Sequence, residues 1–205
     1  MNTRVKICGI TNVADGQAAA EAGADLIGLM FYEPSPRYVS LDAAAGIARA
    51  LPPEVQRVGV FVNPTTELVR RAIGECQLSL LQFHGDEPPD FCTQFGLMSL
   101  KAFRIRDAAS LDALPNYATD AYLLDAYSPE ARGGTGEKFN WDLAVEAQKF
   151  GKPIFLAGGL TPANVAAAVK QVQPFAVDVS SGVESAPGKK DPVKVRAFIQ
   201  AARGA

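Results

Sequence analysis

The chain is poor in the residues that staple or charge a protein. Three cysteines (Cys8, Cys76 and Cys92) and one histidine (His84) stand in 205 residues. An odd, widely spaced set of cysteines excludes a disulfide framework, and neither residue type falls at metal-ligand spacing, so no metal site is expected. A formal net charge of −2 provides no basic footprint for nucleic acid or an anionic membrane surface. No apolar run reaches the ~20 residues that span a bilayer, and MNTRVKICGITN lacks the apolar stretch of a secretory leader. There is no Gly/Ser linker and no shift in composition. The expectation is a reduced, cytoplasmic protein with one domain over residues 1–205, and 48% hydrophobic residues suffice for a sizeable core.

What is present alternates. Short apolar, β-branched runs predict strands at Arg4–Cys8, Leu26–Phe31, Arg57–Val62, Leu78–Phe83, Leu97–Phe103, Ala121–Asp125, Pro153–Ala157 and Ala176–Val179. Between them, helices are predicted near Asn12–Glu21, Leu41–Ala50, Thr65–Glu75, Pro88–Phe95, Ala108–Leu114, Asp142–Lys149, Pro162–Val172 and Pro192–Ala202. Strands apolar on both faces belong between a helix layer and a packed interior. Eight strand–helix units in this length predict an α/β fold, a single (β/α)8 TIM barrel with minimal loops. A doubly wound sheet is the rival and usually needs fewer units. No half-chain repeat is visible: AGGLTP after the seventh strand has no counterpart in NPTTE after the third.

The unusual residues follow the strands, and in a (β/α)8 barrel those loops share one rim, where active sites are built. LAGGLTPANV predicts a turn into a helix capped by Thr161 with Pro162 in its first turn, and DVSSGVE repeats the pattern after the eighth strand. Glycine lets backbone approach an anion, and N–H groups at a helix start donate to it. Gly158, Gly159, Ser181 and Gly182 are therefore the candidate phosphate site. Taken singly, either loop reads equally well as turn glycines and capping serines.

Side chains alternate along a strand. If Cys8 points inward, so does Lys6, while Val5 and Ile7 face the helices. On the eighth strand Asp178 faces inward, and a closed barrel makes that strand the first strand's neighbour. Lys6 is predicted to pair with Asp178, because a buried lysine needs such a partner. Asp125 ends the run YLLD and puts a carboxyl at the top of the interior. Asp125 and Cys8 then flank the phosphate region from opposite sides, an arrangement suited to proton shuttling. Each residue also has an ordinary reading: Cys8 as inert core, Asp125 as a cap or ion-pair partner, Arg37 as a surface arginine and His84 as a structural loop residue. Arg37, in a loop stiffened by two prolines, is suited to clamp a carboxylate at the far end of a ligand.

Read together, KICGIT, the SPR loop, GVFVN, LQFHG, LLD, GGTGEKFNW, LAGGLTPANV, VDVSSGVE and PGKKD resemble phosphoribosylanthranilate isomerase of tryptophan biosynthesis, from Lys6 to Asp191. One departure is Asn140 in FNW, where the family often has Asp; either residue caps a helix. The resemblance implies an Amadori rearrangement of N-(5-phosphoribosyl)anthranilate to 1-(2-carboxyphenylamino)-1-deoxyribulose 5-phosphate, without a cofactor. It implies a small-molecule substrate, Cys8 as general base and Asp125 as general acid. Gly133, Gly134, Thr135 and Gly136 are expected to form a lid, and the protein to be a monomer or homodimer.

Three alternatives stand beside this reading. The histidine-pathway aminoaldose–ketose isomerase requires two opposed phosphate sites and usually a half-barrel repeat. Indole-glycerol-phosphate synthase chemistry requires lysines at strand ends, whereas Lys101 is read at the beginning of its run. An inactive small-molecule-binding barrel would not need both Cys8 and Asp125.

Overall fold

A computed structural model describes residues 3–125 and 141–205. Eight parallel strands close into a barrel in chain order, β1 pairing with β2 on one side and with β8 on the other. They are β1 Arg4–Cys8, β2 Leu26–Met30, β3 Gln56–Phe61, β4 Leu80–Phe83, β5 Met98–Arg104, β6 Ala121–Asp125, β7 Ile154–Ala157 and β8 Ala176–Val179. The expected barrel is present, and β1, β6 and β8 keep their expected bounds.

The alternation of side chains makes two apolar cores. Val5, Ile7, Tyr122, Leu124, Val177 and Val179 point outward into the helix layer. Cys8, Leu26, Val58, Leu80, Leu100, Leu123, Phe155 and Ala176 fill the interior. Four helices start where a polar residue ends a strand-to-helix loop: α1 (Val13–Glu21) after Asn12, α2 (Leu41–Ala50) after Ser40, α3 (Thr66–Cys76) after Thr65 and α7 (Pro192–Arg203) after Asp191. In each, the capping side chain accepts a hydrogen bond from a backbone N–H of the first turn, satisfying a donor that has no partner within the helix.

Several elements depart from expectation. The fourth helix shrinks to α4, Pro89–Thr93, and the fifth unit uses a 3-10 helix, Ala108–Asn116, with Pro115 inside it. After α5 (Trp141–Ala147) a short 3-10 turn follows at Gln148–Phe150. The helix after β7, α6, begins at Val165 rather than Pro162. Thr161 is not its cap: Asn164 precedes the helix, and its Oδ1 accepts from Thr161 N while its Nδ2 donates to Gly159 O. Between β8 and α7 lies an antiparallel hairpin absent from the sequence reading, β9 Glu184–Ala186 and β10 Lys189–Lys190. Gly133–Gly136 and Asn140 lie outside the described residues.

Candidate active site

At the C-terminal ends of the strands the barrel opens into a cavity of about 310 Å³. Cys8 ends β1 and Asp125 ends β6, and both line it. Gly158, Gly159, Ser181 and Gly182 line it from the loops after β7 and β8, and Arg37 and His84 from those after β2 and β4. The sequence-predicted residues thus border one space, apart from Lys6 beneath it and those outside the described residues.

Lys6 and Asp178 lie in register on β1 and β8, and Lys6 Nζ donates to Asp178 Oδ1 at 2.9 Å. Lys6 is wholly buried. Burial pulls its pKa down, but Asp178 and Cys8 outweigh that, and the net shift is upward. Burial pushes the Cys8 thiol up, Lys6 opposes it, and Asp178 adds to the rise. A further residue makes room for this group: a Cβ on Gly28 would stand 2.8 Å from Cys8 Sγ and 3.2 Å from Lys6 Nζ. Only glycine at Gly28 leaves the thiol and the ammonium in place. Where the loops after β7 and β8 meet, a Cβ on Gly182 would run into the carbonyl of Leu160, so the two loops pack backbone to backbone.

Arg37 is less free than its loop suggested. Its Nε and Nη2 donate to the two carboxylate oxygens of Glu184 at 2.8 and 2.7 Å. Lys190, itself buried, donates to Glu184 Oε1 at 2.9 Å. Burial works against the Glu184 charge, yet hydrogen bonds from Arg37 and Lys190 hold its carboxyl below the usual range. Arg37 Nη1 takes no part in the fork. The sequence reading missed Glu184 and Lys190, because they meet only when the β9–β10 hairpin pairs them.

His84 does more than shape a loop: its Nε2 lies 3.3 Å from Asp125 Oδ2, and its Nδ1 lies 2.9 Å from Gln82 Nε2. Gln82 was also missed, although strand parity puts it on the inner wall above Leu80. Lys101 does not begin its strand. It lies within β5 and points away from the interior, and its Nζ pairs with Glu87 Oε2 at 3.0 Å. It is thereby removed from the cavity for a different reason than the sequence suggested.

A closed parallel barrel whose strand ends enclose a polar cavity, with a thiol and a carboxyl on its wall, defines a (β/α)8-barrel enzyme. The sequence profile of the family described as N-(5'phosphoribosyl)anthranilate (PRA) isomerase matches residues 5–201. The N-(5'-phosphoribosyl)anthranilate isomerase of Geobacter sulfurreducens is 55% identical over 98% of both chains. The crystal structure of phosphoribosyl anthranilate isomerase from Thermotoga maritima superposes with a TM-score of 0.92 at 42% identity, covering 99% of this chain and 100% of that one. A structure of phosphoribosyl anthranilate isomerase in complex with reduced 1-(o-carboxyphenylamino)-1-deoxyribulose 5-phosphate superposes at 0.90 with 40% identity, covering 99% of this chain and 100% of that one. The chain belongs to the N-(5'-phosphoribosyl)anthranilate isomerase family, and it is an isomerase.

Proposed function

We propose that this barrel acts as one catalytic domain, turning N-(5-phosphoribosyl)anthranilate into 1-(2-carboxyphenylamino)-1-deoxyribulose 5-phosphate in tryptophan biosynthesis, with Cys8 as general base and Asp125 as general acid. The observation that carries the assignment is the shared cavity: thiol, carboxyl and both glycine loops border it. Asp125 gives a proton to the furanose ring oxygen. The C1–O bond breaks with its electron pair going to that oxygen, and the nitrogen lone pair forms the iminium. Cys8, as thiolate, takes the proton from C2, and the C–H electron pair flows toward the iminium nitrogen. The resulting enolamine tautomerises to the ketose. Lys6 favours the thiolate against burial, and the iminium brings a second positive charge when substrate is bound.

The phosphate is assigned to Gly158, Gly159, Ser181 and Gly182, and the anthranilate carboxylate to Arg37, whose Nη1 stays outside the Glu184 fork. Fixing both ends of the substrate leaves the reacting carbons between thiol and carboxyl, and such positioning lowers the barrier. Gly133, Gly134, Thr135 and Gly136 are assigned as the lid that excludes water from the iminium. Among the described residues no helix is long and apolar enough to cross a membrane. The three free, buried cysteines suit a reducing cytoplasm. We assign the working form as a monomer or homodimer.

The test follows the fluorescence of phosphoribosylanthranilate as it is consumed. Cys8→Ser and Asp125→Asn are each expected to lose on the order of 10²–10⁴ in kcat with KM little changed. Near-full turnover by either variant removes the role assigned to that residue.

A further inference from the structure

We propose that Gln82 sets the tautomer of His84, so that His84 donates its Nε2 proton to Asp125 Oδ2 and the acidic proton of Asp125 is confined to Oδ1. Gln82 and His84 are then positioning residues for the general acid. This inference rests on the reading of Asp125 given above.

Three observations carry it. First, Gln82 is 1% exposed on the inner wall of the barrel, with its Nε2 2.9 Å from His84 Nδ1. An amide N–H can donate there only if Nδ1 keeps a lone pair, which puts the ring proton on Nε2. Second, Gln82 Oε1 is the one buried side-chain polar atom among the described residues without a hydrogen-bond partner. Turning the amide over would bring Oε1 to Nδ1, but it would leave an NH2 group with two protons where the oxygen now stands alone. Buried N–H groups without partners are rarer than under-used carbonyl oxygens, so the present orientation is the favoured one. Third, His84 Nε2 lies 3.3 Å from Asp125 Oδ2, an ion-pair distance from which the donation to Oδ2 is inferred.

The consequence is directional. A carboxylic acid that accepts a hydrogen bond on Oδ2 carries its proton on Oδ1, the oxygen left for substrate. When that proton moves to the ring oxygen, the new carboxylate keeps the His84 N–H as a stabilising donor. Without Gln82 the imidazole is free to put its lone pair on Nε2 and draw the acidic proton onto Oδ2, away from the ring oxygen.

His84 is the only histidine in the chain, so protein labelled with 15N-histidine gives one pair of ring nitrogens in a long-range 1H–15N spectrum. For the unaltered free enzyme the expected signature is a protonated Nε2 and an unprotonated Nδ1. Gln82→Leu is expected to erase that preference, and Gln82→Glu, which offers an acceptor, to move the proton to Nδ1. Both variants are expected to lose roughly tenfold in kcat with KM unchanged, a fraction of what a general acid contributes. A protonated Nδ1 in the unaltered enzyme overturns the proposal, as does a Gln82→Leu variant that keeps both the spectrum and kcat. The spectrum of the unaltered protein is decisive even if a variant fails to fold. If Asp125→Asn keeps full turnover while that spectrum is as expected, the acid assignment falls and the tautomer assignment stands.

Discussion

Glu184 shows how one buried carboxylate can govern an arginine at the rim. It takes two hydrogen bonds from Arg37 and one from Lys190, and it is 9% exposed. The bidentate fork fixes the plane of the guanidinium and turns Nη1 away from the pair. Glu184→Gln removes the charge, frees Arg37 and leaves Lys190 buried with weaker acceptors. The expected outcome is a KM for phosphoribosylanthranilate raised roughly tenfold with kcat nearly kept, the pattern of lost ground-state binding. Steady-state kinetics across substrate concentration check this; an unchanged KM would detach Arg37 from substrate. Neither partner was legible in the sequence as part of a site. VDVSSGVE and PGKKD are separate motifs, and only the pairing of Lys190 with Glu184 across the hairpin makes them one unit.

At the scale of elements, β4 and the loop behind it are held from outside the barrel. Lys101 on β5 donates to the Phe83 carbonyl and to Glu87 Oε2, and Glu87 Oε1 accepts from Asn63 N at 2.8 Å. Asn63 closes the knot, its Oδ1 accepting from Asp86 N at 2.7 Å. These bonds bracket His84, so the histidine that touches Asp125 rides on a loop pinned by a buried ion pair. Removing one partner of such a pair leaves an uncompensated charge. Glu87→Gln is expected to cost about 3–5 kcal/mol in urea denaturation; a loss well under 1 kcal/mol would show that the loop does not depend on the pair.

Elements were legible where polar punctuation agreed with apolar period, as at Asn12, Ser40 and Thr65. They were misread where a side chain folded back on its own loop. Asn164 does so, taking the Thr161 N–H and delaying α6.

Over the whole molecule, closure of the barrel converts strand parity into a site. Parity together with closure predicted that Lys6 would meet Asp178, because closure makes β1 and β8 neighbours. It also put Cys8 and Asp125 on the inner wall. The same parity applies to Gln82, two residues after the inward-facing Leu80, but the sequence reading did not extend it to that strand. Burial of thiols across the layers gives a global pH dependence. Burial pushes Cys92 up to about 12 and Cys76 up to about 11 from an ordinary 9.0. Above 9.0 the unfolded chain releases protons that the folded chain retains, so stability falls as pH rises. The contribution is complete below 9.0 and is lost as pH climbs through about 11 and about 12. Urea midpoints taken below and above 9.0 should fall more steeply for the unaltered protein than for Cys92→Ala; equal slopes would refute the linkage.

The central claim is that one ligand spans the cavity with its phosphate between the loops after β7 and β8. A crystal structure with reduced 1-(o-carboxyphenylamino)-1-deoxyribulose 5-phosphate bound tests it most directly. The account predicts phosphate against Gly159, Ser181 and Gly182, the benzoate carboxylate at Arg37, and the deoxyribulose carbons between Cys8 Sγ and Asp125. A phosphate seated on the opposite rim, or a carbon chain out of reach of the Cys8 sulfur, would contradict it.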